Sequence, residues 1–599
     1  MKSIDLSINA LHDAYRDGSL SPLQLLGYIV ERSNQYKDDS IWITQLNKSQ
    51  IEEYVARLPQ QFDASLPLYG IPFAIKDNID LAGCDTSAAC KAFAHQANDS
   101  ATVVQLLLDA GAIPIGKTNL DQFATGLVGT RSDYGICVNP FDRNYLSGGS
   151  SSGSAVAVAL GLCSFSLGTD TAGSGRVPAA FNNIVGLKPS KGLLSCNGVL
   201  PACRSLDCVS IFALNADDAN LVFEVAARYD EGDVYARQNP FYNSKHCYGK
   251  TTESFRFGVL AAEQFAKFQN EEYSKLYLEY CDRLSSLGGS AVTVDFSPFS
   301  DAARLLYDGP WVAERYAAIE EFIRQRQQEM HPVTREIIGK ARALNSINAF
   351  KAFYQLQAYK QAADNILKTV DFVVTPTTVD HYSIEAEQQQ PIKLNSQLGY
   401  YTNFMNLLDL SAVAVPAAMR DEGLPYGVTL FSSAFSDRKL MSFARRLQEL
   451  QDWPVGKTEF LPRSEPVSGA VLDNYVDVVV CGAHLSGFPL NWQLRERSAV
   501  LLREDKTAPV YRLYAISGAI KRPGLVRNEQ SGIAISVELW RVPMENFASF
   551  VAAIPEPLGI GKVQLSDGKF YSGFICENYA LESAQDITDY GGWAAYMQT

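Results

Sequence analysis

Apolar residues in this chain come in short runs separated by stretches of helical period. Residues 68–75 and 113–116 are apolar runs of strand length, and residues 102–110 between them repeat apolar positions at helical spacing. The alternation continues through residues 156–167, 255–260, 291–294 and 370–374, so the expected core is an α/β sheet covered by helices. Before it, residues 3–35 read as two helices: a turn beginning at Asp17 ends the first, and Ser21 caps the second with Pro22 as its first helical residue. Residues 300–343 read as mostly helical with breaks at Pro310 and Pro332. A last strand over residues 423–431 and a last helix over 437–450 close this part.

After residue 475 strand signals dominate, in residues 475–482, 509–516 and 532–540. Turn formers crowd the stretch before them. The expected organisation is a large domain over residues 1–455, a linker over 456–474 and a smaller α+β domain over 475–599.

Composition narrows the functional classes. Fifty-two basic against sixty-six acidic side chains leave a net charge of −14, which argues against nucleic acid or an anionic membrane as partner. No apolar run is long enough to cross a bilayer, and Asp5 falls where a signal peptide needs its apolar core, so a cytoplasmic location is expected. The eleven cysteines show no paired close spacing, so reduced thiols are expected, without a disulfide framework or a zinc site.

Two loops of small residues flank one apolar segment and carry the candidate chemistry. Residues 148–154 hold four serines among glycines, and residues 168–176 again offer Ser, Thr and Gly. Their backbone N–H groups can be approached closely and suit a developing oxyanion. Neither loop is a phosphate cradle: the first lacks the lysine, and the matching pattern from Gly111 to Lys117 and Thr118 has a strand-like interior with a helix before it. A serine nucleophile needs a base, yet none of the six histidines lies in either loop. Lys76 ends the apolar run 69–75; burial would disfavour its ammonium form and leave a neutral base, although a strand-end lysine also reads as a salt-bridge partner.

Gly148-Gly149-Ser150, followed by Ser174 in Gly-Thr-Asp-Thr-Ala-Gly-Ser-Gly-Arg, with Lys76 upstream in Ala-Ile-Lys-Asp-Asn, resembles the amidase signature family over residues 1–450. The resemblance implies that Ser174 is the nucleophile, Ser150 a bridging serine in a cis peptide with Gly149, and Lys76 the base. It also implies an oxyanion hole from the backbone of Thr171, Ala172, Gly173 and Ser174. Within that group, Ala172 where most relatives have glycine, and the spacing of Tyr307 and Arg315, are similar to the allophanate hydrolases, where such a pair binds substrate. Read as residues, Tyr307 and Arg315 stand slightly over two turns apart if one helix persists, and are also a packed edge and a solvated charge. Gly126 resembles a backbone substrate contact of the same subgroup and also reads as a turn glycine. An arginine fork suits a small carboxylate.

The C-terminal part is similar to the C-terminal domain of allophanate hydrolases, which looks like the cyclotransferase-type barrel. There His484, in Cys-Gly-Ala-His-Leu-Ser-Gly, is a candidate functional residue and also reads as an ordinary histidine; Glu556 loosely matches the cyclotransferase acid. The activity implied is release of ammonia from allophanate, with the C-terminal domain aiding decarboxylation of the N-carboxycarbamate product. It requires no metal or organic cofactor. A homodimer and a functional link to an upstream urea carboxylase are implied as partners. The rival expectations are another small-amide amidase, or the glutaminase subunit of an amidotransferase, with the C-terminal domain only a dimerisation module.

Overall fold

The computed structural model describes residues 3–249, 254–265, 270–463, 475–497, 499–518 and 521–598. The chain divides into two units, Met1–Asn239 with Tyr248–Glu465, and Pro240–Cys247 with Pro466–Thr599. That residues 240–247 group with the second unit was not signalled by the pattern along the chain. Most of the expected linker, residues 464–474, lies outside the described residues.

The first unit is built on an eleven-stranded sheet. Its strands are β1 (Trp42–Gln45), β2 (Pro72–Lys76), β3 (Ile113–Thr118), β4 (Phe165–Asp170), β5 (Val185–Lys188), β6 (Cys208–Ala213), β7 (Phe255–Leu260), β8 (Gly289–Val294), β9 (Phe372–Pro376), β10 (Leu410–Met419) and β11 (Pro425–Ser433). Their order across the sheet is β1-β3-β2-β4-β6-β5-β10-β11-β9-β7-β8. β2 runs parallel to β3 and β4, and β7 parallel to β8 and β9, while the other pairs are antiparallel. The α/β architecture expected from the pattern is therefore present, as a mixed sheet.

β2, β3 and β4 are buried along their whole length; β2 and the first half of β3 appear in the sequence as apolar runs, while β4 alternates small and polar residues with Phe165 and Leu167. Helices α1 (Ile8–Arg16) and α2 (Pro22–Asn34) lie where the turn and cap signals put them, with Ser21 and Gln24 forming a reciprocal capping box. α3 (Thr102–Asp109) precedes β3. α4 (Ser152–Ala159) is buried at every position and is made only of Ser, Gly, Ala and Val. It needs those small residues: a Cβ on Gly153 would stand 2.3 Å from the Ile41 carbonyl oxygen. Across β2 and β4 Ile75 pairs with Leu167, so the two strands end side by side, with Lys76 on one and Thr169 on the other. The carboxyl ends of adjacent parallel strands are where open α/β sheets present their ligand sites.

The second unit contains β12 (Tyr475–Val480), β13 (Val500–Lys506), β14 (Tyr511–Ile516), β15 (Arg522–Arg527), β16 (Ser536–Pro543), β17 (Leu558–Gln564), β18 (Phe570–Cys576) and β19 (Gln585–Asp586). They form a five-stranded sheet, β13-β16-β12-β18-β17, and a three-stranded one, β15-β14-β19. Val478, Val480, Leu539, Trp540 and Phe574 pack in its own core. Among the described residues no helix is long and apolar enough to cross a membrane. All eleven cysteines are free thiols.

Lys117, the lysine of the phosphate-loop pattern, lies inside β3 and is fully buried, with Nζ 3.3 Å from Asp77 Oδ1. It also donates to Asp85 O and Thr86 Oγ1, both at 3.1 Å. It is a structural cation that steadies the residue next to Lys76. Removing one partner of such a pair strands a buried charge, so Lys117→Met is expected to cost about 3–5 kcal/mol, and Lys117→Met with Asp77→Leu to recover most of it. Urea denaturation midpoints of the full chain measure both.

Candidate active site

The end of β2 delivers the Lys76 amine between two hydroxyls. Nζ lies 2.8 Å from Ser150 Oγ and 2.7 Å from Thr169 Oγ1. The side chain is fully buried, and burial pushes its amine down to about 7; the Arg315 charge works in the same direction, against the carboxylates of Asp121, Asp207 and Asp170. The structure thus contains a lysine whose neutral form is accessible near neutrality, and not the salt-bridged lysine that its strand-end position also allowed.

Ser150 follows a cis peptide bond from Gly149. Asp121 brackets this turn. Its N–H donates to Ser150 O at 3.0 Å, and its carboxylate accepts the N–H groups of Val128, Gly129 and Arg131. Glycine is required at two places around it: a Cβ on Gly149 would lie 2.1 Å from Asp121 Oδ2, and one on Gly126 2.6 Å from the same atom. Close packing on Asp121 therefore accounts for Gly126, which also sits beside Thr125, a contact of Arg315.

β4 ends at Asp170 and runs into the second small-residue loop. Asp170 accepts from Gly173 N at 2.8 Å, Gly175 N at 3.0 Å and the Arg176 fork at 2.8 and 2.9 Å. Burial is the largest influence on Asp170 and opposes its charge, but the charge and hydrogen bonds of Arg176, with Lys188 and the Gly173 N–H, together hold the carboxyl below its ordinary value. Of the four backbone donors expected in the oxyanion hole, Gly173 is thus engaged elsewhere. The N–H groups of Thr171, Ala172 and Ser174 meet no protein acceptor among the described residues. Ser174 is nearly buried, and its hydroxyl makes no hydrogen bond among the described residues, so the relay from Lys76 ends at Ser150 as it stands.

Arg315 comes to the same region from another element. α5 (Ser297–Asp308) and α6 (Trp311–Ala318) are separate helices, broken at Gly309-Pro310, so Tyr307 and Arg315 do not share one continuous helix. The break nonetheless folds them together, with the guanidinium 5.7 Å from the Tyr307 ring centroid. Arg315 is buried, 3% exposed, and donates to Ala124 O and Thr125 Oγ1 at 3.2 Å. It forms no ion pair among the described residues, and its Nε has no partner there. Asp207 and Glu314 are near enough to favour its charge without pairing with it, and a guanidinium with an open donor suits an anion.

In the second unit His484 follows β12. Its Nε2 lies 2.9 Å from Gln493 Oε1, its ring stacks on Phe574 with centroids 4.9 Å apart, and burial pushes its imidazole below the ordinary value. It lines a cavity of about 290 Å³ together with Gln493, Arg522, Pro523 and Phe574. Glu556 is exposed and does not line this cavity, although Pro555 does; the loose match to a cyclotransferase acid gains no support from its position.

Thr169, Asp121 and Asp207 were not singled out from the sequence. Thr169 could have been, as a hydroxyl two positions from Leu167, the partner of Ile75 in the adjacent strand. Asp207 could not, because its bond to Thr171 spans 36 residues.

The Amidase family model matches residues 24–441, and the Allophanate hydrolase C-terminal domain model residues 476–598. A urea amidolyase of Lachancea kluyveri is 43% identical over 579 residues, covering 94% of this chain and 31% of that protein. A glutamyl-tRNA(Gln) amidotransferase subunit from Chlorobium limicola is 31% identical over 454 residues, 71% of this chain and 95% of that protein. Among solved structures, the Kluyveromyces lactis allophanate hydrolase matches at 39% identity and a TM-score of 0.76, covering 99% of each chain. The chain spans about a third of the length of the urea amidolyases that it matches. With a family match across residues 24–441 that contains Lys76, both loops and Arg315, the chain belongs to the amidase family and carries an allophanate hydrolase C-terminal domain.

Proposed function

We propose that the chain hydrolyses allophanate, with the observation that Arg315 is a buried cation without an ion pair among the described residues as the main support for that substrate. The carboxylate of allophanate seats on Arg315, beside the Tyr307 ring. The amide carbonyl then faces the N–H groups of Thr171, Ala172 and Ser174, with Gly173 shaping the turn. Neutral Lys76 takes a proton from Ser150, which takes one from Ser174 as its oxygen attacks the carbonyl carbon. The C–N bond of the tetrahedral adduct breaks, ammonia leaves with a proton returned along the same path, and water releases the acyl group as N-carboxycarbamate. A neutral or lipid amide has no use for Arg315, and this favours the reading over a general amidase.

The second unit, with boundaries taken as residues 475–599 after a linker over 456–474 and a domain over 1–455, is proposed to speed loss of carbon dioxide from that product. His484 is the residue proposed for it, supported by its position in an apolar cavity whose other polar lining includes Gln493 and Arg522. The matched relatives are named urea amidolyases; a urea carboxylase acting upstream, a homodimer and a cytoplasmic location complete the proposal.

Activity should follow the neutral form of Lys76. Deprotonation leaves the working base, so kcat/KM for allophanate is expected to rise with pH through about 7 and level off above it. Lys76→Met should remove this limb with the activity, and a flat profile from pH 6 to 9 would contradict the assignment. Arg315→Ala should lower kcat/KM for allophanate about a hundredfold or more, the scale of losing a buried charge pair, and spare malonamide. Ser174→Ala, assayed alongside, should abolish ammonia release from both. His484→Ala should slow carbon dioxide release while the first ammonia still appears at the wild-type rate, as a coupled assay of both products would show.

A further inference from the structure

A short strap, residues 202–207, runs between the second small-residue loop and the helix that carries Arg315, and it is bonded to both. At its inner end the Asp207 carboxylate accepts from Thr171 Oγ1, and from the N–H groups of Ala202 at 2.8 Å and Cys203 at 3.1 Å. Cys203, drawn against Asp207 by these bonds, has its Sγ donating to the carbonyl of Trp311, the first residue of α6, at 3.4 Å. At the tip of the turn between Cys203 and Asp207, the outer clasp, Ser205 N and Ser205 Oγ both donate to the carboxylate of Glu314, each at 2.7 Å, and Glu314 is the residue before Arg315. From behind, the Asn406 amide donates to Asp170 O at 2.7 Å and Leu206 O at 2.9 Å, tying the strap to the base of the loop.

Cys203, Leu206 and Asp207 are buried, so the strap cannot shift without disturbing close-packed neighbours. Thr171 and Arg315 are 144 residues apart in sequence, yet both are held through these six residues. A tight turn bonded to both elements, and closed on itself by the Asp207 carboxylate, transmits position from one to the other.

We propose that residues 202–207 couple carboxylate recognition to the acyl step, with Glu314 and Ser205 as positioning residues that hold Arg315 and the Thr171 to Ser174 backbone in one frame. This rests on the roles proposed above for Arg315 and that backbone. A substrate seated on Arg315 then has its carbonyl aligned with the donors by the same contacts that hold its carboxylate. An amide without a carboxylate does not engage Arg315 and gains nothing from the outer clasp.

The test uses Glu314→Ala and Ser205→Ala in the full chain, assayed with malonamate and its uncharged counterpart malonamide. Each variant should lower kcat for malonamate on the order of tenfold, within the hundredfold that a misplacement of about 1 Å can cost. Malonamide turnover should stay as in the wild type, and the double variant should be little worse than the worse single one, as expected for residues acting through one contact. Glu314→Gln, which keeps an acceptor for the Ser205 N–H, should restore most of kcat. A loss shared equally by both substrates would overturn the coupling and leave a structural role; a higher KM for malonamate with kcat intact would overturn it too. Ser205→Ala removes one hydroxyl and carries the test if Glu314→Ala does not fold. Arg315→Ala separates the two levels. If it leaves the preference for malonamate intact, the carboxylate reading has failed; if it abolishes the preference while both clasp variants keep wild-type kcat, only the strap has.

Discussion

An amine held inside a protein without a hydrogen-bonded counter-ion is the constraint around which this site is arranged. Lys76 lies at the end of a strand buried on both faces, and among the described residues its hydrogen-bond partners are the hydroxyls of Ser150 and Thr169. Hydroxyls can accept from an amine or donate to it, so they satisfy the neutral form without demanding the charged one. Keeping water away takes close packing, and the glycines and small residues of the two loops provide it. A Cβ on Gly168 would lie 2.7 Å from Ser151 Oγ, and one on Gly149 2.1 Å from Asp121 Oδ2. The composition that makes these loops look like flexible spacers is what lets backbone, amine and hydroxyls approach one another.

Three carboxylates close enough to act on the amine favour its charged form, and burial outweighs them. They are engaged elsewhere. Asp121 turns its oxygens to the backbone N–H groups of Val128, Gly129 and Arg131. Asp170 accepts from Gly173, Gly175 and the Arg176 fork. Asp207 is bonded to Thr171 and the 202–203 backbone, and burial pushes its carboxyl up to about 6, which weakens its pull further. The acids thus order the loops around the lysine while leaving its proton affinity to be set mainly by burial. One set of bonds builds the turn geometry and preserves the base.

What could be read from the chain divides along the same physical line. Strands β2 and β3, the capped helix α2 and the two small-residue loops follow from local signals, apolar run length, cap chemistry and composition, while Lys76, Ser150 and Ser174 are singled out by resemblance to a family. Contacts between distant segments left no such trace. The clasp of Asp207 on Thr171 joins residues 36 apart, and Ser205 meets Glu314 across 109 residues. Tyr307 and Arg315 show the limit of a periodicity argument. A continuous helix would have placed them slightly over two turns apart, but Pro310 ends that possibility, and the ring and the guanidinium meet because the chain turns between two helices. Gly173 shows another: its place in the motif suggested a free donor, and only the fold reveals that Asp170 takes its N–H.

The division of labour between sheet and helices bears on how such a site acquires a preference. Lys76, Thr169 and the loop after Asp170 all belong to ends of strands inside the sheet, where displacement is opposed by a neighbouring strand on either side. Arg315 is carried by a short helix outside the sheet, and among the described residues its hydrogen bonds go to one carbonyl and one hydroxyl. A guanidinium has five donors, and the one on Nε here meets no acceptor among those residues. An acceptor on a bound anion would meet that open donor, so the arrangement favours a ligand over an empty site. The acyl chemistry proposed for the strand ends is indifferent to what lies beyond the amide. On the reading proposed above, a preference for a carboxylated substrate is imposed from α5 and α6, and it reaches the reacting atoms because α6 is held in register with the loop after β4.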